Sequence, residues 1–242
     1  MTWEEQHRPR FEAISEAADI GEGDVVVDAG VEPFQLAEYL LNDADPAPGE
    51  IEYIGLAYGN LGETWRRDVA GYDVDVRECN VEEEWPVDDD TADVVVMGAI
   101  LEHLFDPLAA LEEARRVVAD DGYFVLSTPN ATRLIQRARF VLGRNIWDGF
   151  APNPYHRHNH EWTESELVDI LRAAGWRVTE HNHVALNRNG LAGAALKTLT
   201  QLHDGWQDQH VIRAAPAEPT GEPDLYRESL VERGTDESTT AQ

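Results

Sequence analysis

The sequence predicts an α/β fold built on a mostly parallel sheet, and three observations carry that prediction. Asp93–Met97 and Tyr123–Ser127 are short apolar runs of the kind buried on both faces of a parallel sheet. Between them Pro107 can open a helix, and Leu108, Leu111, Ala114 and Val118 recur at helical spacing. A strand, a crossover helix and a second strand within about 30 residues form a βαβ unit. Upstream, Val25–Val27, the turn Asp28–Phe34 and a helix opening at Gln35 repeat the pattern.

Taken in order, Thr2–Asp19 reads as a leading helix with Phe11, Ile14, Ala17 and Ala18 on its apolar face. Gly21–Asp24 breaks it, and Val25–Val27 is the first strand. Gln35–Leu41 starts the first crossover helix, and Ile51–Leu56 is the second strand. Tyr72–Cys79 alternates as a third strand, and the acidic run from Glu82 to Asp90 reads as a solvated loop. Asp120-Asp121-Gly122 predicts a helix stop and a turn. Thr163 and Glu166 have the spacing of a capping box, with Leu167, Ile170, Leu171 and Ala174 facing the core and Gly175 ending the helix. Trp176–Val184 is then a strand, Leu191–Leu202 an amphipathic helix and Gln209–Ala214 the last strand. One domain over residues 1–214 is expected, with an acidic, disordered tail over 215–242.

The chain has 242 residues, enough for one full core. Its 47 acids against 19 basic residues give a net charge of −28, and Lys197 is the only lysine. Such a composition predicts a protein that works in high salt, where self-repulsion is screened. It disfavours nucleic acid as a partner. The single cysteine, Cys79, excludes an internal disulfide and a cysteine metal cluster. No apolar run approaches the ~20 residues that span a bilayer. The polar N-terminus has no signal-peptide core, so a cytoplasmic protein is expected.

The stretch from Leu101 to Asn130, LEHLFDPLAALEEARRVVADDGYFVLSTPN, resembles the middle of class I S-adenosylmethionine-dependent methyltransferases that modify small molecules and glycans. The stretch YHRHNHEWTESELVDILRAAGW is similar to a segment of polysaccharide-associated members. The resemblance implies a Rossmann-like, seven-stranded, mostly parallel sheet flanked by helices, with S-adenosylmethionine as cofactor. It implies cofactor contacts at Asp28, Gly30, Asn80 and Gly98. The sequence also departs from the family. Glu32 and Phe34 stand where the cofactor loop has its second and third glycines, and Ala57 replaces the acid that holds the ribose.

From Gly122 to His160 the only acid in 39 residues is Asp148, where an even spread would give about eight. The same stretch holds Arg133, Arg137, Arg157 and His158. Residues 131–162 are therefore expected either to form a lid or acceptor segment, with these four side chains binding an anionic substrate through guanidinium–carboxylate or guanidinium–phosphate pairing, or to pair their arginines with acids elsewhere in the fold. A small-molecule or lipid-linked glycan, such as a uronic acid, suits that chemistry. A lipid-linked acceptor would bring the protein to a membrane surface. His103, beside Glu102 at the ligand edge, is the candidate general base for a hydroxyl acceptor; a carboxylate acceptor needs none. The alternating His156, His158 and His160 lie in a loop without a second ligand group, and no metal site is expected. The altered cofactor loop leaves one alternative: a methyltransferase-like chain that acts as a non-catalytic partner. Oligomeric state is not readable from the sequence.

Overall fold

The computed structural model describes residues 1–44, 49–59, 65–144 and 158–220. One eight-stranded sheet runs through them. Its strands are β1 (Val25–Ala29), β2 (Glu52–Ala57), β3 (Trp65–Val69), β4 (Tyr72–Glu78), β5 (Ala92–Gly98), β6 (Val118–Pro129), β7 (Trp176–Val184) and β8 (Gln209–Pro216). Their order is β3-β4-β2-β1-β5-β6-β8-β7. Strands β4, β2, β1, β5 and β6 are parallel, while β8 is antiparallel to both β6 and β7. The helices are α1 (Trp3–Ala18), α2 (Gln35–Glu38), α3 (Pro107–Val117), α4 (Leu134–Val141), α5 (Glu164–Ala173) and α6 (Gly190–Thr200).

Two apolar clusters sandwich the sheet. One joins Val27, Leu56, Val95, Phe124, Leu126 and Ile212 to α3 and α5. The other joins Val26, Val94, Val96, Val125 and Val211 to α1 and α2. Strands with apolar residues on both faces need helices on both faces. Trp176 is buried in the first cluster, and its indole N–H donates to the Leu111 carbonyl at 3.0 Å, so the ring's polar edge is satisfied. Both predicted helix starts carry side-chain caps. Asp106 accepts from the Ala109 amide before Pro107, and Thr163 with Glu166 makes the full capping box.

The structure corrects the sequence reading in four places. Among the described residues there are eight strands: β3 forms an antiparallel hairpin with β4 through Ala70 and Gly71, both at positive φ. The helix at Gln35 is a single α-turn that continues as π-helix over Tyr39–Asp43. Asp120-Asp121-Gly122 does not stop the chain. It lies inside β6, where the register against β5 shifts, and a Cβ on Gly122 would come within 2.8 Å of the Ala92 and Asp93 carbonyls. Residue 214 is not the end of the fold. Strand β8 continues to Pro216, and the Thr220 amide donates to the Arg172 carbonyl. The rest of the expected tail, 221–242, lies outside the described residues.

Candidate active site

Strand β1 sits between β2 and β5, so the chain leaves it in opposite directions for its two neighbours. In an open parallel sheet such a switch point opens a crevice at the carboxyl ends of the strands, and ligands bind there. Gly30, just past β1, and Gly98, at the end of β5, flank this crevice. Gly30 has φ 90°, and a Cβ there would lie 2.4 Å from Ile100 Cδ1; one on Gly98 would lie 2.5 Å from Leu36 Cδ2. At both positions a side chain packs directly on the glycine, Ile100 on Gly30 and Leu36 on Gly98, so a larger residue would clash.

The other expected cofactor residues have different tasks. Asp28 is fully buried and accepts a 2.8 Å hydrogen bond from the Tyr53 hydroxyl. Burial pushes its carboxyl up to about 7, against the opposing pull of that bond. It is a support beneath the loop and is not exposed to the crevice. Asn80 caps the turn after β4, donating to Glu83 and accepting from the Glu82 amide. The substituted loop is closed on itself: the Gly30 and Val31 amides both donate to the Leu56 carbonyl, and Phe34, at φ 71°, buries its ring in the core under the Arg67 guanidinium.

The acceptor side is a polar cluster at the ends of β5 and β6. The short 3-10 turn Leu101–His103 follows β5 and buries Glu102. Glu102 accepts from the Thr128 hydroxyl at 3.1 Å, and burial raises its carboxyl. The returning chain is tied to the same turn, because the Asn159 and His160 amides donate to the Glu102 carbonyl. This places the His158 ring edge-on to His103, centroids 5.0 Å apart. His158 Nδ1 lies 3.1 Å from Glu161 Oε1, and that bond raises the imidazole so that it stays cationic to higher pH. His103 and His158 are therefore brought together.

Arg133 corrects the acceptor reading. It is buried, donates to both Glu161 oxygens at 2.7 and 3.1 Å and also donates to the Asn130 carbonyl. A guanidinium committed to a carboxylate inside the fold ties the end of β6 to Glu161. Arg137 is exposed, and its Nε donates to the Thr132 carbonyl. Arg157 lies outside the described residues, as does His156.

The structure adds Arg10, which the sequence reading missed. Helix α1 buries it beside the cluster, close enough for its charge to act on Glu102, and its Nε has no hydrogen bond among the described residues. Burial lowers its guanidinium to about 10. An arginine on the apolar face of an amphipathic helix, one residue before Phe11, is the signal that could have found it.

Residues 25–181 match the model of the methyltransferase domain family. The chain belongs to this family. A Mycolicibacterium smegmatis protein named "Probable S-adenosylmethionine-dependent methyltransferase/" is 31% identical over 163 residues, 67% of this chain and 56% of its own length. A ubiquinone biosynthesis O-methyltransferase of Parvibaculum lavamentivorans is 28% identical over 121 residues, covering 48% of this chain and 46% of its own. The chain thus spans about half the length of these curated relatives. Among solved structures, the Haloferax volcanii methyltransferase complexed with the Trm112 activator superposes with TM-score 0.61, at 16% identity over 90% of this chain and 92% of that one. An Aquifex aeolicus S-adenosylmethionine-dependent methyltransferase gives 0.55, at 18% identity over 88% and 93%. These structural likenesses show the fold. S-adenosylmethionine is the cofactor of the family. The ribose end lacks the usual acid, since Ala57 ends β2. Among the described residues no helix is long and apolar enough to cross a membrane.

Proposed function

We propose that the protein is an S-adenosylmethionine-dependent O-methyltransferase acting on an anionic sugar or lipid-linked glycan. The observation that carries this reading is the Glu102–His103–His158 cluster beside the glycine-flanked crevice. Gly30 and Gly98 would lie against the cofactor, with Asp28 and Tyr53 holding the loop from beneath and Asn80 fixing the turn after β4. When bound, the cofactor supplies an electrophilic methyl group on a sulfonium. His103 takes the proton of an acceptor hydroxyl at a ring nitrogen as the oxygen attacks. His158, kept cationic by Glu161, and the buried Arg10 attract the acceptor's negative charge. For a carboxylate acceptor the same two cations position the nucleophilic oxygen in line with the methyl, and His103 has no proton to take.

The lipid-linked form of the acceptor is supported by the surface of α4. Phe140, Val141 and Leu142 are 69–84% exposed there, beside Arg137 and Arg139. Apolar tips next to arginines suit the boundary of an anionic lipid surface. High salt is proposed as the working medium from the charge of −28. Methyl transfer from radiolabelled cofactor to a uronic-acid-containing glycolipid tests the reading. His103→Ala should lower kcat for a hydroxyl acceptor, while Arg10→Ala and His158→Ala should raise KM. Equal activity of all three variants with the wild type would remove the proposed site.

The second reading, a methyltransferase-like partner without catalysis, is favoured by one observation: the loop amides of Gly30 and Val31 are already spent on Leu56. Cofactor binding separates the two.

A further inference from the structure

Next to the acceptor cluster, three imidazoles share the α5 face of the sheet. His183 on β7 stands directly opposite His210 on β8, and His210 in turn stands opposite Thr128 on β6. Residues two apart on a strand share a face, so His181 joins them. This depends on an irregularity. Trp176 and Val178, both even-numbered, point into the core of α3 and α5. The register of β7 then shifts between Val178 and Glu180, after which Val184 lies in the opposite cluster. A bulge re-aims the side chains beyond it. Without it His181 and His183 would face away from His210.

The three side chains are packed ring to ring, with centroids 4.5, 5.0 and 5.1 Å apart. One nitrogen from each lies within 4.8 Å of the others. His181 Nε2 is 3.0 Å from His210 Nδ1. Glu164, the first residue of α5, closes the group. Its two oxygens lie 3.7 Å from His181 Nδ1 and 3.7 Å from His183 Nε2. These separations exceed a hydrogen bond. The separation from His183 Nε2 is near the edge of a tetrahedron with 2.0–2.1 Å bonds, about 3.3 Å, whereas the contact with His181 is to the ring nitrogen turned away from His210. His183 Nε2 is buried without a hydrogen bond among the described residues.

We propose that His181, His183 and His210, with Glu164, bind one divalent transition-metal ion of the zinc type. Three imidazoles and a carboxylate are a closed tetrahedral donor set for zinc. The ion would replace the hydrogen bond between His181 Nε2 and His210 Nδ1, whose 3.0 Å separation is close to the ligand–ligand distance of such a site. The ion would pin the ends of β7 and β8 against α5. That would fix Thr128, and through it Glu102, beside the acceptor. A second group, Glu102–His103–His158, is also compact. There, however, Glu102 is bonded to Thr128 and His158 to Glu161. The new site does not depend on the proposed methyl transfer.

The test is cobalt titration of the chelator-stripped full chain in molar KCl, followed by displacement with zinc. One Co2+ per chain is expected, with the intense visible absorption of a tetrahedral complex that zinc abolishes. His183→Ala and His210→Ala should each lose the absorption, and His158→Ala should keep it. Glu164→Gln changes an exposed side chain and should weaken Co2+ at least about 10-fold even if the histidine variants fail to fold. No stoichiometric binding by the wild type would overturn the proposal. So would an unchanged affinity in Glu164→Gln, or absorption lost in His158→Ala and kept in His210→Ala.

Discussion

Replacing Arg133 by alanine separates a structural from a substrate-binding arginine. Its side chain is 9% exposed and that of Glu161 5%, and two hydrogen bonds of 2.7 and 3.1 Å join them. Removing one partner of a buried pair leaves an uncompensated charge and costs about 3–5 kcal/mol. The half-buried His158 keeps its bond to Glu161, so the lower end, about 3 kcal/mol, applies. In a domain of this size that is a fall in Tm of roughly 6–12 °C. Thermal and urea unfolding at fixed molar KCl measure it. Glu161→Gln completes a double-mutant cycle, and the two losses should fall short of additivity by about 1–3 kcal/mol. A fall below about 2 °C in Arg133→Ala, with a raised acceptor KM in the folded variant, would refute the assignment and return Arg133 to the substrate.

The remaining predictions concern the crevice and its support. The native Asp28 carboxyl is held at about 7 against an ordinary 3.8, so the native state binds the extra proton between these values. Stability therefore falls as pH rises from about 4 to 7, by up to roughly 4 kcal/mol, and Asp28→Asn should flatten that slope in urea titrations. Gly30→Ala places a Cβ 2.4 Å from Ile100 Cδ1 at φ 90°. A loss of about 1–3 kcal/mol and weaker cofactor binding are expected, checked by unfolding and calorimetry. His103→Ala should lower kcat on a hydroxyl acceptor by about 100-fold or more, with cofactor affinity unchanged. His158 is raised by its bond to Glu161, so KM for an anionic acceptor should rise only as pH passes above the ordinary histidine range. In His158→Ala that dependence should disappear.

The parallel sheet and its crossover helices were readable because the apolar runs and caps at Asp106, Pro107 and Thr163 agree with the final packing. Strand β3 was not, because Trp65-Arg66-Arg67-Asp68-Val69 has no period-two pattern and rests on its pairing with β4. His103 and His158, both named from the sequence, meet at the ends of β5 and β6. Arg133 misled for a physical reason. A local shortage of acids predicts a free cation only if no acid from outside the stretch folds back onto it, and Glu161, one residue past the counted stretch, does. The histidines of β7 were hidden by the bulge. Counting alternation from Trp176 assigns them to the wrong face, and only the register against β8 reverses it.

Calorimetric titration of the folded chain with S-adenosylhomocysteine in molar KCl tests the central claim most directly. The account predicts one site with a dissociation constant in the micromolar range, about −8 kcal/mol, weakened by Gly30→Ala. A folded chain that binds none would mean that Glu32, Phe34 and Ala57 have closed the crevice. The catalytic account would then give way to the partner reading.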